Sequence, residues 1–328
     1  MTEALDLVAI GNAIVDVIAP AQDAFLDAQA LRKGAMTLID DERAARLYDA
    51  MAPGVETSGG SAANTVAGVA SLGGKAAFVG KVADDLLGEV FAHDIEAIGA
   101  TFETPKLEGA ATGRCLINVT PDAHRTMATF LGAANRLTPS DVNEAQIGQA
   151  FAVYLEGYLF DPPPAREAFV KAAGAARAAD RKVAMTLSDV FVVERWRDEL
   201  LAFLDHTDIV FANEVELKSL YQTEDFDAAL AQLSARVEIT AVTRSEHGSI
   251  VRRGDERYVI PAFPIEKVLD TTGAGDQYAA GFLFGLARGK PLDACGAMGA
   301  LCAWEVIGHY GPRPQTSLEK LAKERGLL

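Results

Sequence analysis

Beyond Asn135 the sequence settles into a regular alternation, and this limits the fold more than any other feature. Short apolar runs at 150–156, 182–187, 208–212 and 238–243 are separated by helical patterns at 165–179, 194–204 and 225–235. Near-continuous apolar runs of this length suit strands buried on both faces. Strands that alternate with helices join by right-handed crossovers into a mostly parallel sheet. A hairpin of 249–252 and 257–260 around Gly254-Asp255 follows, and helices over 277–288, 292–306 and 318–325 close the chain. The expected fold class is α/β, with a doubly wound, mostly parallel sheet.

The N-terminal half departs from that rhythm. Residues 5–10 are an apolar run ending at Gly11, the pattern of a buried strand. A short helix at 23–31 and a strand at 34–39 interrupt the alternation, before a helix at 40–51 capped by Asp40. A strand at 76–82 and a helix from 84 to 98, closed by Gly99, restore it. Then 112–119 and 125–130 read as a hairpin around Pro121-Asp122-Ala123-His124. The expected organisation is a core of 1–13, 40–111 and 131–328, with 14–39 and 112–130 forming a small β-sheet lid.

Composition excludes several classes of function. A chain of 328 residues can hold one large α/β domain with an appendage. A net charge of −16 argues against a nucleic-acid surface and against an anionic membrane surface. It leaves nucleotide binding open, because backbone donors and Mg²⁺ can hold phosphates inside an acidic protein. Cys115, Cys295 and Cys302 are odd in number and lack C-x-x-C spacing, which fits reduced thiols and a cytoplasmic location. Residues 1–13 have no basic stretch ahead of their apolar run, so no signal peptide is expected, and no uncharged run is long enough to span a bilayer.

Two glycine clusters carry chemistry. Asp270-Thr271-Thr272-Gly273-Ala274-Gly275-Asp276 immediately precedes a helical pattern. Such a turn gathers free N–H groups at the positive end of a helix dipole, a site for a phosphate. Asp276 can face the same place, and an anion cradle beside a carboxylate suits phosphoryl transfer to a hydroxyl. The same residues would also serve as an ordinary helix start. The second cluster, Ser58-Gly59-Gly60-Ser61-Ala62-Ala63-Asn64, opens a helix of small residues running to Leu72. Its glycines permit close approach of a ligand, or of the sheet, and Asn64 can hydrogen-bond a polyol. Asn12 and Asp16 follow the first strand, where ligands of open α/β sheets bind. No Walker A loop is present, and Gly11 to Asp16 is not a G-x-G-x-x-G dinucleotide fingerprint. The scattered histidines have no metal-ligand spacing.

Asp270 to Asp276 with the following Gln-Tyr-Ala-Ala-Gly-Phe resembles the C-terminal signature of the ribokinase-like (PfkB) carbohydrate and nucleoside kinases. Gly59-Gly60 with Asn64, Gly80 and Gly88 is similar to the family's N-terminal signature, Asn213 to Glu216 to its N-x-x-E motif, and Val242 to Gly248 to its nucleotide-side loop. Ala111 to Cys115, Arg125, Ala133 to Asn135, Glu156 to Leu159 and Leu187 to Phe191 resemble the adenosine kinases most. That resemblance implies ATP-dependent phosphorylation of the primary hydroxyl of a nucleoside, adenosine foremost. A free sugar, or inosine or guanosine, is the alternative acceptor. A nucleotide sensor without turnover is the alternative of another class, and an intact Asp276 with its anion-hole sequence speaks against it.

By resemblance Asp276 is the base, Gly273, Ala274 and Gly275 form the anion hole, and Arg125 is a lid arginine that approaches the phosphates. Arg114 is a weaker candidate for that lid role. Asn12, Asp16, Gly60 and Asn64 match the positions that hold ribose hydroxyls. Asn213 and Glu216 would hold Mg²⁺ through water. Thr243, Glu246, Gly248 and His309 would flank the ATP base and ribose. Asp270 and Thr272 match a monovalent-cation position, which makes K⁺ a candidate. The family places phenylalanine about where Leu159 stands, so Tyr158 and Phe160 are the aromatic candidates to cover the base. Gln277-Tyr278 replaces the commoner Ala-Phe after the base. Lid sheets of this family either dimerise or stay free, so both monomer and homodimer are compatible with the resemblance.

Overall fold

The structure, a computed structural model, describes residues 4–122 and 124–328; residues 1–3 of the expected core and Ala123 of the expected hairpin loop lie outside it. Fourteen strands run in chain order as β1 (Leu5–Ile10), β2 (Ile14–Pro20), β3 (Met36–Leu38), β4 (Val55–Gly59), β5 (Ala76–Val79), β6 (Thr101–Phe102), β7 (Gly113–Val119), β8 (Arg125–Phe130), β9 (Ala150–Glu156), β10 (Lys182–Thr186), β11 (Ile209–Asn213), β12 (Ile239–Thr243), β13 (Ser249–Arg253) and β14 (Glu256–Ile260).

Nine of them form one sheet in the order β14-β13-β12-β11-β10-β9-β1-β5-β6. Its strands are parallel from β12 through to β6, and only the β12–β13–β14 edge is antiparallel. The first strand lies inside the sheet, with β5 on one side and β9 on the other. The strand order therefore reverses at β1, and the crevice beyond its carboxyl end is where such sheets bind ligands.

Each strand supplies two cores, because successive side chains point to opposite faces. Leu7, Ala9, Ala152 and Tyr154 pack under the helices Ser61–Ser71, Ala274–Ala287 and Leu292–Ile307. Val8, Ile10, Val153 and Leu155 pack on the other face under Pro163–Ala178. Small residues let the helices of the first face approach closely. A Cβ on Gly68 would stand 2.6 Å from the Ala280 Cβ.

The remaining five strands form a second sheet, β3-β8-β7-β2-β4. Along β2, Val15, Val17 and Ala19 are buried while Asp16 sits on the opposite face, as the alternation of the sequence anticipates. One strand of this sheet falls outside the expected lid boundaries. β4 lies within 40–111, yet it pairs antiparallel with β2. Its sequence, Val-Glu-Thr-Ser-Gly, is polar and glycine-ended and carries no apolar run to announce a strand.

One further expectation is corrected. The helix expected at 194–204 is two helices, Val190–Arg195 and Arg197–Phe203, broken at Trp196. It starts early because the Asp189 side chain accepts from the Phe191 N–H and caps it. Residues 261–268, after β14, form no regular element. Pro261 and Pro264 lack the N–H groups a strand would need there. No helix among the described residues is long and apolar enough to cross a membrane.

Candidate active site

Asp276 stands in the first turn of the helix Ala274–Ala287, whose N-cap is Gly273. Its Oδ1 accepts from Ser61 Oγ at 2.6 Å and its Oδ2 from Asn64 Nδ2 at 3.0 Å. The two glycine clusters, whose contacting residues are 212 and 215 positions apart in sequence, thus meet at one carboxylate. Burial pushes its pKa up to about 6, while the Ser61 and Asn64 hydrogen bonds pull it back. In the turn before it, the Ala274 N–H donates to Thr271 O at 3.2 Å. Among the described residues no bond of the chain engages the amides of Gly273 and Gly275. Those two, and not all three residues of the expected anion hole, are left for an anion.

The floor beside Asp276 is built on Glu156, at the end of β9. Its Oε1 accepts from Asn12 Nδ2 at 2.7 Å and Asn12 N at 3.3 Å, and its Oε2 from Ala62 N at 2.9 Å. Having given its N–H₂ group to Glu156, Asn12 keeps a buried Oδ1 with no partner, an acceptor for a ligand hydroxyl. Gly60 adopts φ 98°, and a Cβ there would meet Asn12 O at 2.2 Å, so only glycine lets the helix start this close. Asp16 lies against Gly59, and its pKa is pushed up to about 6 by burial, with Arg313 and Arg125 lowering it and Asp276 raising it. From sequence Glu156 stands only within the run Glu156 to Leu159 and carries no role of its own, because it ends an apolar strand.

Arg125 and Asp270 meet each other. Arg125 Nη2 lies 2.7 Å from Asp270 Oδ2, joining β8 of the second sheet to the start of the glycine turn. The same oxygen accepts from Gly311 N at 2.9 Å, while Oδ1 accepts from Thr272 N at 3.1 Å and Thr272 Oγ1 at 2.7 Å. Both carboxylate oxygens carry donors and a guanidinium balances the charge. In this arrangement Asp270 holds the lid-side arginine, the glycine turn and the 310–316 loop together. Arg114, the weaker lid candidate, turns away to Asp41 at 3.3 Å, with its guanidinium against Tyr48 and Phe130.

On the nucleotide side, Asn213 and Glu216 form a reciprocal capping box at the helix Glu214–Tyr221. Glu216 N donates to Asn213 Oδ1 at 2.8 Å, and Asn213 N and Nδ2 donate back to the carboxylate at 3.0 and 2.7 Å. Burial raises the Glu216 pKa to about 7, with Asp189 adding to the rise. A cleft of about 720 Å³ is lined by Asn213, Thr243, Glu246 and Arg244, so two expected nucleotide residues share it with the N-x-x-E motif. Gly248 takes φ 76° with Ile260 O 1.9 Å from where a Cβ would be, a position closed to any side chain. His309 instead pairs with Glu305, Nε2 to Oε2 at 3.2 Å, on a neighbouring loop.

With this geometry in view, the profile of the pfkB family carbohydrate kinases matches residues 35–320. The chain belongs to the pfkB family of carbohydrate kinases. Its structure is similar to that of adenosine kinase from Sinorhizobium meliloti, with 52% identity and a TM-score of 0.91 over 98% of this chain and 99% of that one. It is similar also to a probable sugar kinase from Rhizobium etli CFN 42, with 48% identity and a TM-score of 0.93 over the whole of both chains. The adenosine kinase of Saccharomyces cerevisiae is 27% identical across 93% of this chain and 96% of that one. This pfkB kinase is accordingly an ATP-dependent enzyme that phosphorylates a hydroxyl of a nucleoside or sugar.

The aromatic candidates of the kinase separate. Phe160 is 2% exposed and packs edge-on to Phe169 and Phe203 inside the second core, so it does not cover a substrate. Leu159 is fully buried in the same core. Tyr158 is half-buried, donates from its hydroxyl to Ser188 O at 3.2 Å, and packs 5.8 Å from the exposed ring of Phe191. Burial raises the Tyr158 pKa, and the charges of Asp189, Asp276, Glu156 and Glu216 add to the rise, which places this ring among the carboxylates of both halves of the site. Phe191 was not singled out from sequence, although its run Leu187-Ser188-Asp189-Val190-Phe191 was.

Four carboxylates give the kinase a signature in pH. Asp16 and Asp276 shift from 3.8 to about 6, and Glu156 and Glu216 from 4.5 to about 7. Burial is the first cause in each. Raised values mean that the folded chain binds more protons than the unfolded one between the two sets of values. Stability is then greatest below the ordinary values and falls as pH rises through the shifted ones. Thermal unfolding of the ligand-free protein should show a lower melting temperature at about pH 8 than at about pH 5, with a shallower fall in Glu156→Gln. A melting temperature that rises across this window would contradict the assignment.

Proposed function

We propose that this kinase transfers the γ-phosphoryl group of ATP to the primary 5′ hydroxyl of a nucleoside, with adenosine as the acceptor. The observation that carries this reading is the meeting of Ser61, Asn64 and Asp276 beside the unpartnered Oδ1 of Asn12 and the Asp16 carboxylate. In this reading Asn12 Oδ1 and Asp16 accept from the ribose hydroxyls. Asp276 takes the proton of the attacking hydroxyl, and the Gly273 and Gly275 amides face the phosphoryl oxygens. A site whose polar groups are completed by hydroxyls discriminates against analogues that lack them.

Mg²⁺ fits this chain as a partner of the nucleotide. The described residues contain no group of three or more His, Cys, Asp or Glu that could hold a metal alone. Mg²⁺ characteristically keeps several waters and binds through one or two carboxylates plus substrate phosphates. Asn213 and Glu216, with hard oxygen donors beside the cleft, would touch its water shell, and the ion would neutralise phosphate charge.

The similarity to adenosine kinases and the Tyr158–Phe191 pair favour a purine nucleoside. The fully buried Leu159 and the similarity to a probable sugar kinase keep a free sugar as the second reading. Steady-state kcat/KM with ATP–Mg²⁺ and adenosine, inosine, guanosine, ribose and fructose decides between them. A preference for ribose or fructose would overturn the nucleoside reading. Tyr158→Ala tests the base cover. Stacking a base on an aromatic ring contributes about 1–3 kcal/mol, so KM for adenosine should rise roughly 5- to 150-fold while any ribose turnover stays unchanged.

A further inference from the structure

We propose that Arg313 is a positioning residue of the phosphoryl transfer, fixing the Asn64 amide so that its N–H₂ end faces the base. This rests on the reading of Asp276 as the base and of Asp16 as a ligand of the acceptor. Asn64 lies between two unlike groups: its Nδ2 is 3.0 Å from Asp276 Oδ2 and its Oδ1 is 3.5 Å from Arg313 Nε. A carboxylate only accepts and a guanidinium only donates, so one orientation of the amide satisfies both. Without Arg313 the amide is free to turn its oxygen toward the carboxylate.

Packing holds Arg313 in place. Gln277, fully buried, donates from Nε2 to Pro312 O at 3.0 Å and to Asn64 O at 2.9 Å, tying the loop of Arg313 to the helix of Asn64 through the residue after the base. Gly311 N donates to Asp270, and Glu305 Oε1 accepts from Gln315 N, Thr316 N and Thr316 Oγ1, each at 3.0 Å. The loop is thereby anchored to the glycine turn at one end and to the helix Leu292–Ile307 at the other. Gln277, which stands where the family commonly has alanine, acquires a purpose: it clamps this loop to the site.

The guanidinium is itself desolvated, and its Nη2 is buried with no partner, a donor in reserve for an oxygen of the bound acceptor. The charged and titratable groups that face Asp16 are Arg313, Arg125 from β8, Asp276 from its helix and the Cys115 thiol from β7. Removal of Arg313 leaves Arg125 as the cation of that set.

The test uses Arg313→Met, Arg313→Lys, Asn64→Ala and Asp276→Asn in the full chain, with kcat and both KM values measured from about pH 5 to 8 on the best acceptor. Arg313→Met should lower kcat roughly 10- to 100-fold and shift the acid limb of kcat/KM to higher pH, with KM for ATP unchanged. Arg313→Lys should restore the limb and not kcat, since it keeps the charge but loses the Nε contact. In the Asn64→Ala background Arg313→Met should cost nothing further in kcat. Wild-type kcat in Arg313→Met, or full additivity with Asn64→Ala, overturns the proposal. Equal damage in Arg313→Met and Arg313→Lys with a collapsed melting temperature also overturns it, as a purely structural role. Failure of the base reading would show separately, as near-normal turnover in Asp276→Asn.

Discussion

Asp276→Asn should fold, bind ATP and lose roughly 10²–10⁴-fold in kcat, the usual contribution of a positioned general base. The amide is nearly the same size as the carboxylate and can still accept from Ser61 or Asn64, so the packing of the helix Ala274–Ala287 is kept. What it loses is the ability to take a proton. The wild-type enzyme should show the same dependence through pH. Burial brings Asp276 and Asp16 to about 6, and the Asp276 charge adds to the rise at Asp16, so the acid limb of kcat/KM near pH 6 belongs to the pair. Activity should fall below that value as the base becomes protonated, and Asp276→Asn should lower the rate without moving the affinity for ATP measured by calorimetry. Near-normal turnover in the variant would remove Asp276 from the chemistry.

Gly273→Ala should lower both turnover and stability. Gly273 holds φ 79° and ψ −1°, a left-handed conformation that costs an L-residue about 1–2 kcal/mol. A Cβ there would also lie 2.6 Å from both Pro312 Cβ and Pro312 O. The turn or the 310–316 loop must move, and both border the site. Misplacement of reacting groups by about 1 Å costs on the order of 100-fold, so kcat/KM should fall by about that factor together with the melting temperature. Gly275→Ala is the control for stability. Its Cβ would meet nothing within 4 Å and its φ is not positive, so its melting temperature should match that of the wild type. Unchanged kinetics in Gly273→Ala would mean that the turn is not where the phosphoryl group is held.

Much of this architecture is legible in the chain because its signals are local. Buried parallel strands need unbroken apolar runs, and β1, β9, β10, β11 and β12 supply them. Helices need caps, and Asp40, Asp85 and Asp225 each accept from an N–H three residues on. Close approaches need glycine, and Gly60, Gly248 and Gly273 lie where a Cβ has no room. β4 was illegible for the complementary reason. An edge strand has one neighbour, and here Val55 is exposed and Glu56 and Thr57 are half-buried, so polar residues serve it as well as apolar ones. Phe160 misled because an aromatic residue beside a strand end reads the same whether its ring faces a ligand or a core, and here Phe169 and Phe203 claim it.

By itself the sequence determined the α/β class, the two glycine turns and the identity of Asp276, since each depends on residues within one turn or one strand. The tertiary structure alone decided what those residues face. Ser61 and Asn64 reach Asp276 across more than 200 positions, Glu156 reaches Asn12 across 144, and Arg125 reaches Asp270 from a different sheet. A side chain's hydrogen-bond partner is set by where the packed strands bring it, and a linear pattern that fixes the faces of strands and helices does not record which faces meet.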